Sequence, residues 1–288
     1  MLHLRASDGG IDVGGAFVVN PRSPVARAVV THASRIRDAL SAAELVVPAP
    51  LAFALPDGHA ARIVEPDSTF TLGGLELQFD PLLQLHIAGT TIVTGAPAKA
   101  SRPCEQLVLD ATYGLPIFRW SARDELVDAL RIWRQLNIDA GRPMLLCAEP
   151  TDEALQLIDL LGDVFAHPEI VALARRTGRR VELLPARGAT KAAAGKVILA
   201  PPSELDAPAL PKLTGHEKAL ASGRMRVRGN RRRLAIHRGF TLSSRADWPA
   251  LLSAIDAHRD AQLVLTGAHA STLTRFLATR GMTASVLS

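Results

Sequence analysis

Ala28-Val29-Val30-Thr31-His32-Ala33-Ser34-Arg35-Ile36-Arg37-Asp38 is the stretch on which the fold turns. Ala28 to Thr31 reads as a buried strand, with no polar interruption until a loop begins. That loop offers a single histidine, His32, and at Arg37 a cation. A catalytic zinc needs about three protein ligands and an open position for water. A lone loop histidine with so few partners is more often held by a hydrogen bond than by a metal. A guanidinium beside it repels a dication.

Working outward, the first hundred residues read as short strands and turns. Ala16–Val19 is a strand closed by Asn20-Pro21, and Leu45–Val47 is another before Pro48. Phe70–Leu72 and Leu75–Phe79 flank Gly73-Gly74, a hairpin signal. Thr91–Thr94 and Gln106–Leu109 complete this β-rich part. The period then changes. Ser121-x-x-Asp124 resembles a capping box, Leu126, Val127, Leu130 and Trp133 follow at helical spacing, and Gly141 ends the helix. Strands at Met144–Ala148, Val164–Ala166, Val181–Leu184 and Lys196–Ala200 alternate with helices, the first of them capped by Thr151. Such alternation implies a parallel sheet. Arg224–Arg228 alternates arginine with Met225 and Val227, which predicts a strand with three arginines on one face. Gly229-Asn230 would turn it, and Arg233–His237 would return. Two further helix–strand pairs close the chain.

The composition is globular, with 48% hydrophobic and 21% charged residues over 288 positions. No run approaches the roughly 20 apolar residues of a membrane span, and Met1-Leu2-His3-Leu4-Arg5 has no apolar signal core. Cys104 and Cys147 are too few for a disulfide framework. A reduced, cytoplasmic setting with no membrane partner is expected. The net charge of +5 makes an acidic partner plausible. From Gly223 to Ala246 there are eight arginines and no acid. A merely solvated face usually mixes signs, so contact with a nucleic-acid backbone stands beside the solvated reading for Arg224, Arg226, Arg228, Arg231, Arg232 and Arg233.

Three segments together resemble one family. They are Pro24–Ala33, Ala111-Thr112-Tyr113-Gly114-Leu115-Pro116-Ile117-Phe118-Arg119-Trp120, and the run from Ala221 to Leu252. The chain is similar to the bacterial ligase-associated DNA damage response exonucleases, which are metallo-β-lactamase proteins with a β-CASP insertion. The resemblance implies an α/β fold: an αββα metallo-β-lactamase sandwich with an inserted Rossmann-like β-CASP domain. The sandwich would be built from residues 1–116 and 216–288, with the insertion at 117–215.

The departures fall where the family's chemistry lies. Its His-x-His-x-Asp-His loop would place a first ligand at His32, but Ser34, Ile36 and Arg37 stand at the others. Its Ser-Asp-His-Ala-Asp-Trp motif would put a metal-bound histidine at Arg245 and an aspartate at Ser244. Its bridging aspartate would follow Thr94-Gly95, where the chain has Ala96. His86 is either the family's surviving histidine after a slip of two residues or an unrelated strand histidine. Asp110 matches the acid that opens the insertion, or else holds a neighbouring turn.

What the resemblance implies is therefore a catalytically inactive exonuclease homologue, with no catalytic or metal-binding residues and no cofactor. His32, His86 and Asp110 are its vestigial set. Arg37 and Arg245 either fill the void by bridging Asp38 or Asp247, or bind phosphate in place of the metals. The expected partner is nucleic acid, chiefly DNA held through phosphates, in the setting of an ATP-dependent DNA ligase and a helicase. Two other readings stay open. One is a nuclease with a rebuilt or single zinc or manganese ion at His32, His86 and Asp110. The other is an interaction subunit pairing with an active paralogue.

Overall fold

The computed structural model describes residues 2–8, 10–95, 102–206 and 208–288, so Ala96 lies outside the described residues. The chain divides into two compact units. One combines Met1–Phe118 with Arg245–Ser288, and the other is the intervening Arg119–Ser244.

The first unit opens with β1 (Leu4–Ser7), β2 (Gly10–Val13), β3 (Phe17–Val19), β4 (Arg27–Val29), α1 (Ile36–Ala39), β5 (Glu44–Pro48) and β6 (Arg62–Val64). These strands form one sheet in sequential order, antiparallel from β1 to β3 and parallel from there to β6. Next come β7 (Thr69–Leu72), β8 (Leu75–Phe79), β9 (Leu85–Ile87), β10 (Thr90–Val93) and β11 (Gln106–Asp110). The expected hairpin is present: β7 and β8 pair antiparallel around Gly73 and Gly74, both at positive φ. Any Cβ at Gly73 would also lie 2.8 Å from that of Ala16.

The second unit contains α2 (Arg123–Asp139), β12 (Met144–Cys147), α3 (Asp152–Leu161), β13 (Val164–Ala166), α4 (Pro168–Arg176), β14 (Glu182–Leu183), α5 (Ala189–Ala192), β15 (Val197–Ala200), β16 (Glu217–Ala221), α6 (Arg228–Arg233) and β17 (Arg238–Phe240). The chain then returns to the first unit with α7 (Trp248–Ala257), β18 (Gln262–Thr266), α8 (Ala270–Thr279) and β19 (Ala284–Val286).

Those last strands extend the second sheet of the first unit, in the order β19-β18-β11-β10-β9-β8-β7. The strand alternation sorts its side chains. Val108 and Val264 join Phe70, Leu77 and Phe79 in an apolar layer shared with Ile11, Val29 and Val46 of the first sheet. Leu107, Leu109, Leu263 and Leu265 point the other way, onto Trp248, Leu251, Leu273 and Leu277 of α7 and α8. Ala28, Val30, Leu45 and Val47 pack outward on Ala33, Ile36 and Leu51. The first unit is thus layered helix, sheet, sheet, helix. Strands buried on both faces must be apolar throughout, which is why Ala28–Val30 has no alternation to read.

In the second unit six strands, all parallel, run β14-β13-β15-β12-β16-β17. Counted within the unit this order is 3-2-4-1-5-6. The parallel sheet that the strand–helix alternation implies is present, but the 3-2-1-4-5-6 order of dinucleotide-binding sheets is not reproduced.

Three expectations need correction. The boundary at 215/216 is misplaced, because β16 and β17 pair within the parallel sheet and the unit runs to Ser244. Ala219, Leu220 and Ala221 are fully buried, and that burial is available only inside the sheet. The Ser121 capping box does not form: Ala122 is the N-cap of α2 and makes no side-chain bond. Thr151 does sit at the N-cap of α3, but its hydroxyl donates to the Glu153 carboxylate and not to the backbone.

Candidate functional site

The loop after β4 is anchored by a buried polar cluster. Asn20 donates from its amide to the Thr31 hydroxyl at 2.7 Å and accepts from the Thr31 backbone at 2.9 Å. The Thr31 and Thr94 hydroxyls share a hydrogen bond of 2.6 Å. His32 then caps a 3-10 turn over Ala33–Arg35. Its Nδ1 accepts from the Ser34 backbone and meets the Ser34 hydroxyl at 2.7 Å. With Nδ1 accepting, a neutral ring carries its proton on Nε2, where a metal would need a lone pair. Ile36, at the resemblance's aspartate position, is 1% exposed and packs into the outer core.

Asp110 ends β11 and is occupied from two sides. Its Oδ1 accepts from the Thr112 backbone at 2.8 Å and from the Thr112 hydroxyl. Its Oδ2 is ion-paired with Arg245 Nη1, and Arg245 also reaches the Thr112 hydroxyl at 3.3 Å. The two side chains are only 18% and 10% exposed, so the pair is largely desolvated. Gly267 makes room for it: it adopts φ +93°, and a Cβ there would fall 2.5 Å from Asp110 Oδ1.

These groups line a cavity of about 50 Å³ in the first unit. His32, Asp110 and Arg245 are in its wall, together with Arg22 and Arg35, which the sequence reading passed over. Arg37 is not in that wall; it is exposed on α1. A helical turn rotates successive residues by about 100°, so burying Ile36 sends Arg35 and Arg37 to different sides. Arg35 pairs with Asp38 at 3.3 Å. Its pKa is lowered by burial first and then by the charges of Arg22 and Arg245. Of the bridges weighed for the arginines, Asp38 is taken by Arg35, Arg245 goes to Asp110, and Asp247 accepts from Ala250 at the cap of α7.

His86 stands apart from this group. It lies on β9 and lines a different cavity, of about 240 Å³, with Thr91, Arg102 and Cys104. Its Nδ1 meets Thr91 at 3.0 Å and its Nε2 meets Asp80 at 3.3 Å. The set His32, His86 and Asp110 is therefore not assembled. No cluster of three or more His, Cys, Asp or Glu that could hold a metal occurs among the described residues. Asp110 is engaged by a guanidinium and Arg22, Arg35 and Arg245 share the wall, so the side chains around this cavity do not fit a zinc or manganese ion.

The arginine run lies in the second unit and is not a hairpin. Ser222 Oγ accepts from Arg224 N to start a 3-10 turn over Gly223–Arg226, and α6 follows at Arg228–Arg233. Asn230, expected at a strand turn, instead donates to the Arg224 carbonyl at 2.8 Å. The return strand is β17, parallel to β16. Parallel neighbours need a crossover in place of a tight turn, and consecutive arginines are good helix formers. Met225 and Leu234 pack against the core of the parallel sheet. Met225 sits directly over Gly239, where a Cβ would lie 2.9 Å from its sulfur. With its apolar residues turned inward, the segment leaves Arg224, Arg226, Arg228, Arg231, Arg232 and Arg233 exposed.

Arg228, Arg231, Arg232 and Arg238 line an open cavity of about 640 Å³ with Met225, Gly229 and Gly239. Among the described residues no acidic side chain lines it. Among the described residues, Arg228, Arg231, Arg232 and Arg238 make no salt bridge. Arg224 and Arg226 are on the preceding turn and outside its wall, and Arg233 donates to Asn230 at 3.1 Å. Tyr113 and Phe118 are buried against each other in the first unit with ring centroids 4.9 Å apart.

No protein-family model matches the chain, and no curated protein matches it. No helix among the described residues is long and apolar enough to cross a membrane.

Proposed function

We propose that this protein is a catalytically inactive homologue of the metallo-β-lactamase/β-CASP exonucleases that binds nucleic acid through its phosphates. The observation that carries the reading is the acid-free wall of Arg228, Arg231, Arg232 and Arg238. Guanidinium groups pair with phosphate oxygens in bidentate geometry, and an open cavity of about 640 Å³ leaves room for a backbone to approach. The four-layered first unit is compatible with the sandwich that the resemblance implies. The inactive half of the proposal rests on the Arg245–Asp110 pair, which puts an internal cation where that family has a metal-bound histidine. A DNA repair setting with a ligase, a helicase or an active paralogue is part of the same proposal.

Fluorescence anisotropy with labelled single- and double-stranded DNA tests it. Affinity is expected to fall with salt at a slope of about 0.9 per duplex phosphate contact. Arg231→Ala and Arg232→Ala should each flatten the slope by about 1. Absence of binding at low salt would sink the proposal. A stoichiometric zinc or manganese ion accompanied by exonuclease activity would sink its inactive half.

A further inference from the structure

We propose that the cavity beside His32 is a binding site for one small oxyanion of the phosphate class, gripped by Arg22, Arg35 and Arg245. Three guanidiniums converge on one concave wall of the first unit. Their charges act on each other, since both Arg22 and Arg245 lower the pKa of Arg35. Two carboxylates offset part of this: Asp110 takes Arg245 and Asp38 takes Arg35. Arg22 makes no salt bridge among the described residues, so a positive surplus remains. Like charges gathered in a partly buried recess repel more strongly than in water, and an anion between them turns that repulsion into attraction.

The walls suit an oxyanion in other ways. Thr94 brings a hydroxyl to the same wall. Each guanidinium can present paired N–H donors to two oxygens at once. The volume of about 50 Å³ sets the size limit. It holds a few waters or one compact anion. The bound species is inorganic phosphate or the phosphoryl group of a small ester, and their shared chemistry is what the site recognises. This inference does not depend on the nucleic-acid reading, which rests on arginines of the other unit.

Calorimetric titration of the full chain with inorganic phosphate is the test. One phosphate per chain is expected. Arg22→Ala removes an exposed side chain and should weaken binding about ten-fold. Arg35→Gln should act in the same direction, and replacing Arg131, an exposed arginine that lines neither cavity, with alanine should leave the titration unchanged. Displacement by glycerol phosphate would identify an ester as an acceptable source; failure to displace would assign the site to the free ion. The proposal is overturned if no saturable binding occurs, or if affinity survives both Arg22→Ala and Arg35→Gln.

Discussion

Arginine does opposite things in the two units. Arg245 and Arg35 are drawn into a cavity wall and matched with Asp110 and Asp38. Arg228, Arg231 and Arg232 stand in solvent on a short helix without an acid to answer them. The first pattern is a buried charge that the fold must satisfy internally, and losing a partner there is expensive. The second is a surface charge whose removal the fold scarcely registers, while a polyanionic ligand would. Residue type alone does not distinguish them; desolvation does.

The sharpest way to break this contrast is Arg245→Ala. It strands the Asp110 carboxylate in a site that is mostly closed to water, and should cost about 3–5 kcal/mol in denaturant unfolding. The double variant Arg245→Met with Asp110→Asn should recover much of that loss, because neither half of the pair is then left charged. Unchanged stability in the single variant would mean that the pair is not a structural element. Next in size is Gly267→Ala, which combines a φ of +93° with a close approach to Asp110. A loss of about 2–4 kcal/mol is expected from backbone strain and overpacking together.

A pH series sharpens the contrast for acids. Burial first, and then the neighbouring Glu153 charge, push Asp152 up to about 7. Glu153 receives both the backbone N–H and the hydroxyl of Ser244. An acid whose folded pKa is raised binds more protons folded than unfolded, so stability falls as pH rises from about 4 to about 7. Asp152→Asn should remove this slope, leaving the variant roughly 1–3 kcal/mol more stable than the parent at pH 8 relative to their difference at pH 4. Parallel pH–stability curves for the two proteins would contradict it. At the small end, Arg231→Ala and Arg232→Ala should each shift unfolding by no more than about 0.5 kcal/mol. A larger loss would place them in the first class and not the second.

Much of the β framework was legible in the chain. The hairpin at Gly73-Gly74, the buried strand before His32 and the alternation from Met144 to Ala200 all follow from period, turn chemistry and runs of apolar residues. The insertion of one unit within another was also readable from the change of period near residue 120. Arg224–Arg228 misled because a two-residue alternation over so few positions fits a strand, yet Ser222 and Asn230 supply local bonds that wind it into turns. Arg22 left no signal at all, being a turn residue whose role depends on which loops meet. Arg35 did leave one: placing Ile36 in the core decides which of its neighbours faces the cavity.

By itself the sequence determined the list of groups that were present: one loop histidine, an acid at a strand end and a crowd of arginines. Those are matters of composition and order along the chain. Which arginine meets which carboxylate was decided only when Asp110 and Arg245, separated by 135 positions, arrived at the same cavity. Pairing energies depend on distance and dielectric, and neither quantity exists until the chain has closed on itself.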